Sequence, residues 1–251
     1  MLAAMEKLIS NAGTRIWTAS AGQGAPLILC NGGPGCDDYL QPVSALIEDL
    51  CQVVRFEPRG CGRSDYDGNY DLDTTVTDIE HLRQAWGFEE IMVSGHSAGC
   101  DVALAYALRY PGYVRGLIGI AGGRIVNDRE WSQVYKANLE NRGEDYGGKV
   151  FVADPEVNRR GNASWKKFIQ HPELLAAIAA LPMPAIYIWG TDDIRPAWPT
   201  RQLANLIPNG AFFEIDGAAH CIWLTHSEEL KRLLRQAVST ILDQSAGSDY
   251  S

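Results

Sequence analysis

The chain has 251 residues, 46% hydrophobic and 21% charged, a balance suited to one large soluble α/β domain. Lys plus Arg number 22 against 31 Asp plus Glu, and the net charge of −9 argues against binding nucleic acid or an anionic membrane surface. No stretch approaches the ~20 apolar residues of a bilayer span, and Met1 to Lys7 holds no basic region followed by an apolar run, so neither a membrane segment nor a signal peptide is expected. The six cysteines (Cys30, Cys36, Cys51, Cys61, Cys100 and Cys221) form no Cys-x-x-Cys pair. Zinc spacing is therefore absent, and the cysteines read as reduced thiols, packed as small hydrophobes in a cytoplasmic protein.

Residues 7–10 and 14–18 read as two strands of a hairpin around Asn11-Ala12-Gly13. The continuous apolar run 26–30 suits a strand buried on both faces, and it ends in the loop Asn31-Gly32-Gly33-Pro34-Gly35. A short helix over 43–50 and a strand over 53–56 follow. Leu72, Val76, Ile79, Leu82 and Trp86 recur near helical spacing and predict a helix over 72–86. Next come a strand from Ile91, a helix over 98–110 and a buried strand over 117–120. Alternating strands and helices imply a mostly parallel central sheet flanked by helices.

That alternation breaks after Gly122-Gly123. From 124 to 181 the composition shifts, with Trp131, Tyr135, Tyr146, Trp165 and Phe168 mixed among charges. The expected organisation is an α/β core over 1–123 and 182–251 with a small helical cap, 124–181, inserted in it. Beyond the cap, 185–189 and 211–215 read as strands, and 199–207 and 228–242 as helices, with 244–251 expected to fray.

Between the strand at Ile91 and the helix from Ala98 stands Gly95-His96-Ser97-Ala98-Gly99, a Gly-x-Ser-x-Gly. A strand that turns directly into a helix holds such a serine in a strained conformation with its hydroxyl outward, at the positive end of the helix dipole. The alternative is a glycine-rich loop with an incidental serine. Functional loops of an open α/β sheet gather at the carboxyl ends of its strands. Four such loops here carry reactive or anion-binding groups: 31–35, 95–99, Gly190-Thr191-Asp192-Asp193 and Asp216-Gly217-Ala218-Ala219-His220. Their order is serine, aspartate, histidine. Of the five histidines, His220 follows the last strand and is the base of choice, while His96 adjoins Ser97. The residues themselves leave the acid open between Asp192 and Asp193.

In that order of motifs the chain resembles the α/β-hydrolase fold family over nearly its whole length. The resemblance implies a triad of Ser97 as nucleophile, His220 as base and Asp193 as acid, the last matching the family's Gly-x-x-Asp. It also implies an oxyanion hole of the Ala98 N–H and one N–H of the first glycine loop, by position that of Gly33. The family usually places His-Gly where this chain has Asn31-Gly32. Asn31-Gly32-Gly33-Pro34-Gly35 and Glu57-Pro58-Arg59-Gly60-Cys61-Gly62-Arg63-Ser64 are similar to motifs of the proline iminopeptidase branch, with Asn31 and Glu57 standing for the branch's His and Asp. Arg59 and Arg63 are expected to form structural hydrogen bonds beneath the site. Gly-His-Ser-Ala-Gly departs from the branch's Gly-Gly-Ser-Trp-Gly and resembles esterases.

The expected function is that of a serine hydrolase, esterase-like, forming an acyl-enzyme on a small ester, with no cofactor and no metal. A proline iminopeptidase-like aminopeptidase on an amide or short peptide is the alternative within that class. A non-catalytic ligand receptor of the same fold is the alternative outside it. Haloalkane dehalogenase and epoxide hydrolase chemistry is disfavoured, because those branches place Asp at the nucleophile. The cap carboxylates Glu130, Glu140, Glu144, Asp145, Asp154, Glu156 and Glu173 are interleaved with basic residues and read mostly as a solvated face.

Overall fold

The computed structural model describes residues 4–126, 129–144, 146 and 151–248; Asp145 lies outside the described residues. In chain order the elements are β1 (Met5–Asn11), β2 (Thr14–Ala21), β3 (Ala25–Cys30), α1 (Gln41–Ser44), β4 (Cys51–Phe56), α2 (Leu72–Ala85), β5 (Ile91–His96), α3 (Ala98–Arg109) and β6 (Val114–Ile120). Then follow α4 (Arg129–Arg142), α5 (Pro155–Phe168), α6 (Leu174–Ala179), β7 (Ala185–Gly190), α7 (Trp198–Leu206), β8 (Gly210–Ile215) and α8 (Ser227–Ser248). The strands form one sheet in the order β1-β2-β4-β3-β5-β6-β7-β8. β1, β2 and β4 pair antiparallel, and every pair from β4 through β8 is parallel.

Side chains alternate between two apolar layers, as the strand period requires. Ile28, Val93, Leu117 and Tyr187 face the layer beneath α2, α3 and α7, where Ile79, Leu104 and Leu203 pack. Leu29, Met92, Ile118 and Ile188 face the other, filled by Leu230, Leu234, Val238 and Ile241 of α8. Each such side chain contributes about 1.5–3 kcal/mol by leaving water. That gain on both faces is why the central strands read as unbroken apolar runs.

Two elements differ from expectation. The helix expected over 43–50 is α1, which stops at Ser44. Beyond it the chain continues in tighter turns, with i→i+3 bonds from Leu46 N to Val43 O and from Ile47 N to Ser44 O, both 3.1 Å. The carbonyls of Glu48 and Leu50 instead accept the N–H groups of Gln23 and Ala25, each at 3.1 Å. At the other end, α8 runs to Ser248, past the expected stop at 242. Once a helix is nucleated on buried residues, adding a polar turn costs little.

From β3 the chain steps to β4 on one side and returns to β5 on the other, so β3 and β5 form a topological switch point, where ligands bind in such sheets. The segment between β6 and β7 lies across the same end of the sheet. Asn158 Nδ2 donates to Pro34 O at 2.8 Å, Asp37 N to Val152 O at 3.2 Å and Asn138 Nδ2 to Ile194 O at 2.8 Å. These bonds tie it to the loops leaving β3 and β7. No helix among the described residues is long and apolar enough to cross a membrane.

Candidate active site

Ser97 sits between β5 and α3 with φ 55° and ψ −124°. A side-chain-bearing residue held there stores about 1–3 kcal/mol of strain, so the surroundings must impose it. They do so by close approach. A Cβ on Gly95 would overlap the Gly99 carbonyl, and one on Gly99 would overlap the Cys30 carbonyl. The Ser97 N–H is held by Ile120 O at 2.9 Å. Ser97 is half-buried and opens α3, whose first N–H groups have no helix carbonyl to meet.

The loops leaving β7 and β8 bring Asp193 and His220 together. His220 Nδ1 donates to Asp193 Oδ2 at 2.6 Å, and the Asp193 side chain is wholly buried. The other carboxylate oxygen, Oδ1, accepts the Arg195 backbone N–H at 2.9 Å and Arg195 Nη1 at 3.2 Å. Burial pushes the Asp193 carboxyl up, but the His220 ring and Arg195 outweigh it and hold it below its ordinary value. Asp192 points elsewhere: its side chain is 59% exposed and lies 3.9 Å from Arg142.

Both ring nitrogens of His96 are engaged, and neither bonds Ser97. Its Nε2 is 3.1 Å from His220 O, and since a carbonyl only accepts, that nitrogen carries the proton. The bare Nδ1 then accepts the Tyr39 hydroxyl at 2.6 Å, and the Tyr39 oxygen accepts the Gly32 N–H at 2.8 Å. This chain runs from the first glycine loop to the backbone of His220. Because it consumes the Gly32 N–H, Gly33 carries the next N–H of that loop, and Gly33, Ala98 and Ser97 all line one cavity. Burial is the main cause that lowers the His96 pKa well below 6.5, so the ring is neutral.

That cavity is about 260 Å³ and is walled by Trp131, Tyr135 and Trp165 on the side of the β6–β7 segment. Its charged lining among the described residues is Asp101, Arg124 and Arg195. None of the described cap carboxylates reaches it. Glu144 pairs with Arg195, Asp154 caps α5 through the N–H groups of Glu156 and Val157, and Glu156 pairs with Arg159 and Arg160. Asp101 lies one helical turn beyond Ser97 on α3, and burial pushes its carboxyl up to about 7 against the opposing Arg124.

Beneath the site, Arg59 binds Asp78 with Nε and Nη2, both at 2.7 Å, and also pairs with Asp67. Arg63 reaches Glu57 at 2.7 Å, and Glu57 accepts the Asp38 N–H at 3.1 Å, next to Tyr39. Asn31 Nδ2 donates to Phe56 O at 2.8 Å, tethering the glycine loop to β4 without a titratable ring. All six cysteines are buried thiols.

Sequence reasoning missed four residues of this region. Asp101 carries a signal, since position i+4 from Ser97 shares its helix face. Arg124, just past the end of β6, falls under the strand-end rule. Tyr39 has no local signal, because tertiary folding brings its partners to it, and Arg195 has only Asp193 nearby in sequence, its second acid Glu144 arriving from the cap.

Comparison with known proteins agrees with this fold. A family described as alpha/beta hydrolase fold matches residues 25–150. The chain belongs to that family of hydrolases and is proline iminopeptidase-like within it. It is 25% identical over 88% of its length to a proline iminopeptidase of Heyndrickxia coagulans, covering 92% of that protein. It is 39% identical over 40% of its length to one from Saccharolobus solfataricus, of which it spans 34%. The solved proline iminopeptidase of Mycobacterium smegmatis superposes with a TM-score of 0.74 at 18% identity, covering 96% of this chain and all of that one, a likeness of fold alone.

Proposed function

We propose that the protein is a serine hydrolase acting on a small ester. The observation that carries this reading is the buried Asp193–His220 pair at 2.6 Å, on the loops leaving β7 and β8, at the same end of the parallel sheet as a serine held at φ 55° at a helix N-terminus. Ser97 Oγ attacks the substrate carbonyl while His220 Nε2 takes its proton. Asp193 keeps the Nδ1 proton in place and offsets the imidazolium charge. The backbone N–H groups of Gly33 and Ala98 stabilise the oxyanion of the tetrahedral intermediate. His220 then protonates the leaving alcohol, an acyl-enzyme remains on Ser97, and water activated by the same histidine releases the acid. The cap acts through Trp131, Tyr135, Val157 and Trp165, which wall the cavity and exclude bulk water.

An iminopeptidase must hold a free α-ammonium group, and a buried cation requires carboxylate partners. None of the described cap carboxylates lines the cavity, which favours esters. Aminopeptidase activity is the second reading, favoured by the names of the relatives and by Asp101, the one carboxylate among the described cavity-lining residues. A panel of p-nitrophenyl esters against prolyl and other aminoacyl anilides separates the two. The proposal expects higher kcat/KM on short esters with weak or no release of proline. Robust prolyl-anilide cleavage, lost in Asp101→Asn, would move the protein to the second reading.

A further inference from the structure

We infer that the substrate carries a carboxylate group and that Arg124 binds it. This rests on the serine hydrolase reading for its chemistry, but its binding component stands apart from catalysis. Arg124 follows β6 and lines the same cavity as Ser97. Two residues before it, a Cβ on Gly122 would overlap the Ser97 carbonyl, so the backbone leading to Arg124 is packed directly against the serine. Its guanidinium carbon lies 4.1 Å from the Trp131 ring centroid and 4.5 Å from that of Trp165. Both indoles are buried. Stacking on aromatic rings engages the faces of a guanidinium and leaves its rim of N–H donors for an acceptor in its own plane.

No such acceptor is supplied by the described residues. The other arginines in the interior each have a carboxylate: Arg55 has Asp38, Arg59 has Asp78, Arg83 has Glu80, and Arg195 has Asp193 and Glu144. Arg124 is the exception. Asp101 is its nearest acid, yet that carboxyl accepts the Arg124 backbone N–H at 3.1 Å, and no ion pair joins it to the guanidinium. A cation placed this way, with no hydrogen-bonded anion among the described residues, favours an incoming anion of matching shape. A carboxylate meets the fork with two parallel hydrogen bonds. The other cavity cation, Arg195, is already held by two acids. An α-ammonium ligand would meet the Arg124 charge as repulsion. A cavity of about 260 Å³ suits a short chain, such as a monoester of a small dicarboxylic acid.

Two measurements test this. In the first, glutarate and its diamide are titrated by calorimetry into the Ser97→Ala protein and into the Ser97→Ala/Arg124→Met protein, with circular dichroism checking that both are folded. Glutarate should bind the first about 10- to 100-fold more tightly than the second, and the diamide should show no such difference. In the second, kcat/KM on p-nitrophenyl hemiglutarate is divided by that on p-nitrophenyl pentanoate, for wild type, Arg124→Lys and Arg124→Met. The ratio should fall about 10- to 100-fold in Arg124→Met and by less in Arg124→Lys. Glutarate binding that is absent, or equal with and without Arg124, overturns the inference. If no ester is turned over while glutarate binding still depends on Arg124, the hydrolase reading fails and the carboxylate site stands.

Discussion

The Tyr39 hydroxyl bridges His96 Nδ1 and the Gly32 N–H, at 2.6 and 2.8 Å. It thereby couples the glycine loop to the ring that holds the His220 carbonyl. Two of the loops proposed to act in catalysis are thus fixed against each other by one phenol. Tyr39→Phe leaves a buried N–H and a buried ring nitrogen unpaired while keeping the packing against Trp223 and Phe151. It should lower unfolding free energy by about 1–3 kcal/mol in urea titration. It should also lower kcat roughly 10-fold, because the Gly33 N–H is then less firmly placed for the oxyanion. An unchanged kcat would show that the glycine loop is rigid without Tyr39.

His96 makes stability depend on pH with a definite sign. Its folded pKa lies well below 6.5, so below that pH the unfolded chain takes up a proton that the folded protein refuses. The stabilisation is present above about pH 6.5 and is lost as pH falls. Wild type should lose about 1 kcal/mol from this group between pH 7 and 5.5. Chemical denaturation of His96→Gln over the same range should give a flatter profile, and equal slopes would place the ring outside the buried network.

Asp101 works in the opposite direction. Burial raises its carboxyl from 3.8 to about 7. Between those values the folded protein keeps a proton that the unfolded chain has released, so this group's contribution falls as pH rises and levels off above 7. Asp101→Asn preserves an acceptor for the Arg124 N–H and removes the titration. Its stability advantage over wild type should grow by about 2 kcal/mol between pH 5 and 8, read from urea midpoints.

Asp193 and Asp192 are adjacent in sequence and opposite in environment. Asp193→Asn removes the charge that orients His220 and should cut kcat/KM by about 10³- to 10⁴-fold. Asp192→Asn, at an exposed position, should change it less than about 3-fold. Steady-state kinetics on one p-nitrophenyl ester decides the ranking, and a crippled Asp192→Asn would reverse the assignment of the acid.

The periodic elements were legible because their burial is continuous. The apolar runs of β3, β5, β6 and β7 are buried on both faces, and the helical spacing in α2 matches the residues it buries. The turns after α1 were not, since Val43, Ile47 and Leu50 suit either i→i+4 or i→i+3 bonding. The choice falls to distant N–H groups at Gln23 and Ala25. At the site, Ser97 and His220 were visible as strand-end residues, whereas the role of Arg195 depends on meeting both Asp193 and Glu144. Likewise, nothing near Tyr39 in the chain announces a partner 57 residues away.

The central claim is that Ser97 is a nucleophile activated by His220. Intact-protein mass spectrometry after brief exposure to a fluorophosphonate probe tests it most directly. The account predicts one stoichiometric adduct on wild type, mapped to Ser97. Folded Ser97→Ala should acquire none, and His220→Ala should label at least about 10³-fold more slowly. An adduct that persists at full rate in either variant, or a wild-type protein that does not label, would contradict it.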